Sequence, residues 1–416
     1  MRWWVLLAGV SLARCPGGET TRGRLARELT SARSAQPSFL HAAVGDRMVH
    51  FHSKHLENRA MPEWSRSSGR VVCLTFALAG LLSPAGAQGQ QRAGPPDPDW
   101  QPPRTAWGHP DFQGNWSNAT LTTFERRPGL GPVYTPDEVD AIEGRERSRL
   151  ETDLRPSDPD RAPPPVTGSV GSYNEIYYER GDRVARVRGE PRTSLITFPA
   201  DGRIPTLSPE GARRKEEYEE FRLGFGEYDH PELRPLAERC VVYYASSPAG
   251  VMGPPMIPTR GYNNNLTIVQ NADHVLIYAE MIHDVRIIRL GEPDRLPAHV
   301  RPWFGDSWGR WDGDTLVVET TNIHPGQLMN EQSDWIVHSE DLRVIERFAR
   351  VDEDTILYEF EVHDPGTYSE VWGGEVPWER LDQQIFEYAC HEGNYALSNV
   401  LSGARYQERM EAGEPR

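Results

Sequence analysis

The chain of 416 residues sets 45 Lys and Arg against 61 Asp and Glu, a formal net charge of −16 at pH 7. Nucleic acid and anionic membrane surfaces both call for a concentrated basic face, so neither is an expected partner. The expected partner is a small molecule.

Residues 1–60 lack sustained periodicity and read as a non-native upstream extension, with Met61 as the real start. Residues 61–87 then read as a secretory signal peptide. Arg66 and Arg70 form a basic n-region, Val71 to Leu82 an apolar h-region, and Ala85-Gly86-Ala87 an A-x-A cleavage site. The apolar run is too short for a transmembrane helix, and no cysteine follows it to carry a lipid anchor. The expected location is periplasmic or extracellular. Cleavage would remove Cys15 and Cys73 and leave Cys240 and Cys390, which predict one disulfide in an oxidising compartment.

Residues 88–103 form a Pro/Gly/Gln-rich leader, 104–405 a single β-rich domain and 406–416 a polar tail. Within the domain, Thr135 caps an exposed charged helix over 136–150, and Ser208-Pro209-Glu210 starts a second one running to about Arg222. The stretch "DLRPSDPDRAPPPVTGSVGS" reads as coil, and "YNEIYYERGDRVARV" and "RTSLITFPADGRIP" read as strands. From Cys240 onward the pattern is antiparallel: "NLTIVQ", "HVLIYAEM", "HDVRIIRL", "LRVIERFARV", "DTILYEFEVHD" and a last strand in "QIFEYACHEG". Leu342, Val344 and Phe348 alternate with Arg343 and Arg347, and Ile356, Tyr358, Phe360 and Val362 alternate with Leu357, Glu359, Glu361 and His363. Such period-two patterning marks half-buried strands. The expected fold is mainly β, an antiparallel meander closed as a barrel or stacked as a sandwich, with short helices and coil in the N-terminal third.

Gly305-Asp306-Ser307-Trp308-Gly309 matches the G-x-S-x-G pattern of a serine hydrolase. That motif needs a strand-to-helix turn, and here Gly309, Asp312, Gly313 and the β-branched "TLVVET" that follows forbid the helix. Asp312-Gly313 predicts a hairpin instead. Ser307 is not the expected nucleophile.

Three polar clusters remain. If one strand ran through "YAEMIHDVRII", Glu280, Asp284 and Arg286 would share a face with Tyr278, Ile282 and Ile288. Such a group would supply a carboxylate of raised pKa, with Arg286 holding an anion, unless the residues form a structural ion pair or bend to solvent near His283. "EYACHEGNY" places His391 beside Cys390, as a general base or a hydrogen-bonded corner residue. Asn263, Asn264 and Asn265, with His283, Trp303 and Trp311, could line a ligand site, although consecutive Asn residues also suit a strained turn. His, Cys and acidic residues show no metal-ligand spacing and no Gly-rich nucleotide loop is present, so neither a metal nor an organic cofactor is expected.

The motifs "GYNNNLTIVQ", "EMIHDVRIIRL", "GDSWGRWDGDTLVVETTN" and "EYACHEGNY" together resemble a family of exported bacterial proteins. The resemblance spans roughly residues 104 to 405 and implies one integrated domain; it brings no activity with it. In "DFQGNW", Gly114-x-Trp116 is similar to the G-x-W that opens the first lipocalin strand, which favours a closed barrel. The functional expectation is an exported hydrolase or lyase acting on a glycoside or aromatic compound through Glu280, Asp284, Arg286 and His391. The alternative is a non-catalytic ligand-binding barrel or sandwich. A structural envelope protein is the third reading.

Overall fold

The computed structural model describes residues 100–156, 160, 178–242, 253–258, 261, 264–281, 284–327, 329–331 and 334–413, with backbone alone for 329–331 and 334–336. All of these lie in one unit, Ala87–Arg416. The expected extension, signal peptide and start site, most of the leader, Asn263 and His283 lie outside the described residues.

Nine strands close a barrel. In order around it they are β1 (Gly114–Ser117), β5 (Asn265–Gln270), β6 (His274–Ala279), β7 (Val285–Leu290), β8 (Asp306–Asp312), β9 (Thr315–Thr321), β12 (Arg343–Arg350), β13 (Thr355–His363) and β14 (Trp372–Arg380), with β14 pairing back onto β1. All neighbours are antiparallel except β7 and β8. Two short hairpins stand outside the ring: β2 (Arg186–Val187) with β3 (Glu190–Pro191), and β10 (Met329–Glu331) with β11 (Asp334–Ile336). A tenth strand, β4 (Ile196–Phe198), pairs with β14 from outside the ring.

The alternation read in the sequence is the alternation of inside and outside. Val344 and Phe348 on β12 and Ile356, Tyr358, Phe360 and Val362 on β13 all point into the core. A barrel of this size is filled by its own side chains. Here Trp116, Phe348, Tyr358, Phe360, Trp372 and Trp378 fill it, joined by Met256 and Ile257 of a segment that reaches in from outside the sheet. One end is stoppered by residues 103–113. Phe112 is buried with its N–H on Gln270 Oε1 (2.6 Å), the Trp116 indole donates to Phe112 O (2.8 Å), and the Arg350 and Arg380 guanidinium groups lie 5.1 and 5.4 Å from the Trp116 ring.

Capping explains both N-terminal helices. In α1 (Pro136–Asp153) the Thr135 hydroxyl accepts from the Glu138 N–H while the Glu138 carboxylate accepts from the Thr135 N–H, a capping box. In α2 (Pro209–Leu223) Ser208 accepts from the Gly211 N–H, and a Cβ on Gly211 would lie 2.3 Å from Thr367 O, so the helix rests directly on the β13–β14 connection.

The hairpin expected around Asp312-Gly313 forms between β8 and β9, with a two-residue loop of Gly313 (φ +59°) and Asp314. Four other elements differ from the sequence reading, the first being "YNEIYYERGDRVARV", where among the described residues 178–187 only Arg186–Val187 form a strand. "QIFEYACHEG" is no strand, because β1 and β14 close the ring and leave no edge to extend; residues 381–395 instead run as a strap outside the barrel. The final strand is β14, disguised by Gly373, Gly374 and Pro377, residue types that strands disfavour. The glycines are required by packing: a Cβ at Gly373 would meet Phe360 O, and one at Gly374 would meet Leu195 O, both at 2.1 Å. Most of the tail beginning at 406 belongs to a third helix, α3 (Ala396–Glu411). Cys240 and Cys390 form the expected disulfide, with Cα atoms 5.8 Å apart. Among the described residues no helix is long and apolar enough to cross a membrane.

Candidate functional site

The proposed face of Glu280, Asp284 and Arg286 is divided by the chain itself. The strand stops at Ala279 and resumes at Val285, with the Ala279 N–H on Asp284 O at 2.9 Å closing the turn. Glu280 therefore sits at the rim of the barrel, whereas Arg286 points inside.

Arg286 is buried among polar side chains from four further strands. Its Nη1 donates to Glu346 Oε1 (2.7 Å), its Nη2 to Thr320 Oγ1 (2.8 Å) and to Glu346 Oε2, and its Nε to Ser307 Oγ (3.2 Å). The Tyr358 hydroxyl donates to Glu346 Oε1 at 2.8 Å and accepts from the Met256 N–H at 2.8 Å. Burial drives the Tyr358 pKa well above its ordinary value, and the Glu346 charge adds to the effect. Every nitrogen of Arg286 thus donates to an acceptor inside the protein, the condition under which a buried ion pair is tolerated. Ser307, the residue of the G-x-S-x-G match, is one of these partners and is also bonded to Thr320 Oγ1 at 2.9 Å.

At the rim where β1 ends and β5 begins, two carboxylates meet. Glu179 and Glu280 hydrogen bond to each other. The Asn265 amide donates to Glu179 Oε1 (2.5 Å) and to Glu280 Oε2 (3.0 Å), and the Asn264 N–H donates to Glu179 Oε2 (2.9 Å). Asn264 Nδ2 also binds Glu179 O at 2.6 Å, fixing the segment that carries this glutamate. From the other side, the Phe386 N–H in the strap donates to Glu280 Oε1 at 2.8 Å. Burial, and next the Glu280 carboxylate, raise the Glu179 pKa to about 8. Two carboxylates in contact cannot both ionise cheaply, so the pair retains a proton at neutral pH. Tyr278 lies within range of this charge; burial raises its pKa first, and Glu387 and Glu280 raise it further.

Glu280, Asn264 and Asn265 are thus brought together, while the other candidates are dispersed. His391 is exposed next to the disulfide, Trp303 stacks on His324 at 4.0 Å, and Trp311 stacks on His109 at 4.7 Å against the stopper. Among the described residues no group of His, Cys, Asp and Glu could hold a metal ion. A separate groove of about 650 Å³ is lined by residues that include Asn322, Arg343, His363, Asp364 and Tyr368.

Sequence reasoning missed Glu179, which lies in "YYERGD" with no motif to mark it. It also missed Glu346, although a signal was present. Glu346 occupies an inward position in the series Leu342, Val344, Glu346, Phe348, where a carboxylate demands a partner.

No protein-family model, no curated protein and no solved structure matches the chain.

Proposed function

We propose that the protein is an exported acid–base enzyme, of hydrolase or lyase type, working on a small organic substrate with the Glu179–Glu280 pair. The observation that carries this reading is the meeting of two half-buried carboxylates on one amide, Asn265 Nδ2 donating to Glu179 Oε1 (2.5 Å) and to Glu280 Oε2 (3.0 Å), an arrangement that favours a shared proton. A carboxylic acid with a pKa of about 8 is in its acid form at neutral pH, while its ionised partner accepts protons. The protonated member would donate to a leaving-group or carbonyl oxygen, and the ionised member would take a proton from water or from a substrate C–H.

The geometry narrows the substrate. Glycoside hydrolysis by two carboxylates needs them roughly 5–9 Å apart, room for a sugar carbon or a water between them. Glu179 and Glu280 in hydrogen-bond contact leave no such room, which favours ester, amide or proton-abstraction chemistry over a glycoside. Arg286 has no part in this reading, because its donors are engaged by Glu346, Thr320 and Ser307. Export is supported by the Met61–Ala87 segment and by the Cys240–Cys390 bridge.

The test is turnover of a panel of small esters, amides and β-hydroxy acids by the chain from Gln88 and by its Glu179→Gln and Glu280→Gln variants. Either change should lower kcat by about 10²-fold or more. Turnover untouched by both changes would overturn the assignment. Ligands that bind and return unchanged would instead favour capture, for which the groove beside Arg343 and His363 offers the space.

A further inference from the structure

Arg343 opens β12 and Arg350 closes it, and Arg350 Nη1 donates to Asp111 O in the stopper at 2.8 Å. The groove of about 650 Å³ that contains Arg343 therefore lies at the other end of the barrel. Its wall is assembled where Thr321 ends β9, Arg343 starts β12, His363 ends β13 and Val371 leads into β14. Leu342, Pro365 and Val371 supply an apolar part, while Glu340, Asp341, Asp364 and Glu370 set four carboxylates against one guanidinium. That guanidinium is already engaged: Arg343 Nη1 lies 3.4 Å from Glu319 Oε2, and its Nη2 lies 3.5 Å from His363 Nδ1.

Asp364 is the member of the wall that the fold leaves uncompensated. It is 2 % exposed, and its Oδ2 accepts from the Ser339 N–H at 3.0 Å, while Oδ1 has no hydrogen-bond partner. Its backbone carbonyl is taken by the Thr367 and Tyr368 N–H groups, both at 2.9 Å. Among the described residues no cation pairs with this carboxylate. Glu346, buried in the same barrel, has both oxygens on Arg286. A buried carboxylate with an unused oxygen and no counter-ion is costly, and it calls for a group that completes it.

We propose that this groove binds a small organic amine in its ammonium form, with Asp364 as counter-ion and Leu342, Pro365 and Val371 against the apolar body. The inference is independent of the Glu179–Glu280 reading. An ammonium brings the two things that Asp364 lacks, a positive charge and N–H donors for Oδ1. Oδ1 is covered, and the ammonium engages it through a small turn about the soft terminal torsion of Asp364. A metal ion does not fit the same residues, because among the described residues no group of His, Cys, Asp and Glu could hold one. An anion would face the four carboxylates with Arg343 turned to Glu319.

The probe is phenethylamine, titrated calorimetrically into the protein near neutral pH. Its comparison compounds are 2-phenylethanol and 3-phenylpropanoate, which keep the ring and replace the ammonium by a neutral and an anionic group. The amine should bind at least about 10-fold more tightly than the alcohol, the ratio expected of a charge-assisted hydrogen bond. The anion should not bind. Asp364→Asn keeps an oxygen for the Ser339 N–H and puts an amide N–H₂ in place of Oδ1, so it should remove the preference for the amine. Val371→Arg keeps the test decisive where Asp364→Asn fails to fold. Val371 is 40 % exposed, so the change should leave the Tm in place. The added positive charge in the wall should weaken amine binding by about 10-fold or more.

No measurable amine binding, or equal binding of amine and alcohol, overturns the proposal. So does a preference for the amine that neither Asp364→Asn nor Val371→Arg changes, which would mark diffuse attraction to an acidic surface. Glu179→Gln tells this groove from the carboxylate pair. Amine affinity should be the same in that variant as in the parent; a loss there, with Asp364→Asn unaffected, would move the ammonium to the pair and overturn the assignment.

Discussion

Replacing Glu179 by Gln makes the retained proton measurable without any substrate. Gln has the shape and neutrality of the protonated acid: its carbonyl can keep one of the two acceptor positions of Glu179, and its amide, at the other, can donate to Glu280. In the parent protein the folded-state pKa is about 8 against an ordinary 4.5, so unfolding releases a proton anywhere between those values. A raised carboxylic pKa contributes stability that is fully present below pH 4.5 and is lost as pH climbs towards 8. One pKa unit corresponds to ~1.4 kcal/mol, so the whole window would amount to ~5 kcal/mol. The pair shares its proton and is partly in contact with solvent, which reduces the expected loss between pH 5 and pH 8.5 to about 2–4 kcal/mol. Urea unfolding of both proteins across this range gives the difference directly. The Glu179→Gln curve should lack this component, so that the variant gains on the parent as pH rises. A stability difference between the two that stays constant within about 1 kcal/mol from pH 5 to pH 8.5 would refute the retained proton, and with it the acid–base argument.

The barrel interior and the disulfide give two further expectations. Glu346→Gln leaves the Arg286 charge buried without its counter-ion and should cost about 3–5 kcal/mol, whereas Arg286→Met combined with Glu346→Leu should recover most of that loss; chemical denaturation of the three proteins checks it. Reducing the Cys240–Cys390 bridge opens a loop with a sequence separation of 150, worth up to ~5 kcal/mol in the chain-entropy account, so the Tm should fall on adding a thiol reductant.

Much of the fold is local information. Alternation on β12 and β13 gave their inward faces, Thr135 and Ser208 gave two helix starts, and the glycine after Asp312 gave a hairpin and excluded a nucleophile elbow. In each case the physical cause acts within a few residues: the two-residue repeat of a pleated strand, an N-cap hydroxyl, a positive φ. The cysteine pair was also legible, because only two were left to combine after the expected cleavage. What misled was equally local. Gly373, Gly374 and Pro377, residue types that strands disfavour, left β14 without a strand signal, although the glycines are there so that Leu195 and Phe360 can approach β14 closely.

The site is another matter, because its members come together only when the barrel closes. Glu280 and the adjacent asparagines could be singled out as polar residues next to strands, and the sequence went no further than that. Glu179 reaches Glu280 from a segment far away in the chain, and Arg286 turns inward to Glu346 because the strand breaks between Ala279 and Val285. Whether a carboxylate keeps its proton, or an arginine is free to bind a substrate, depends on burial and on the nearest charge. Those quantities follow from strand register and ring closure, and only the tertiary structure sets them.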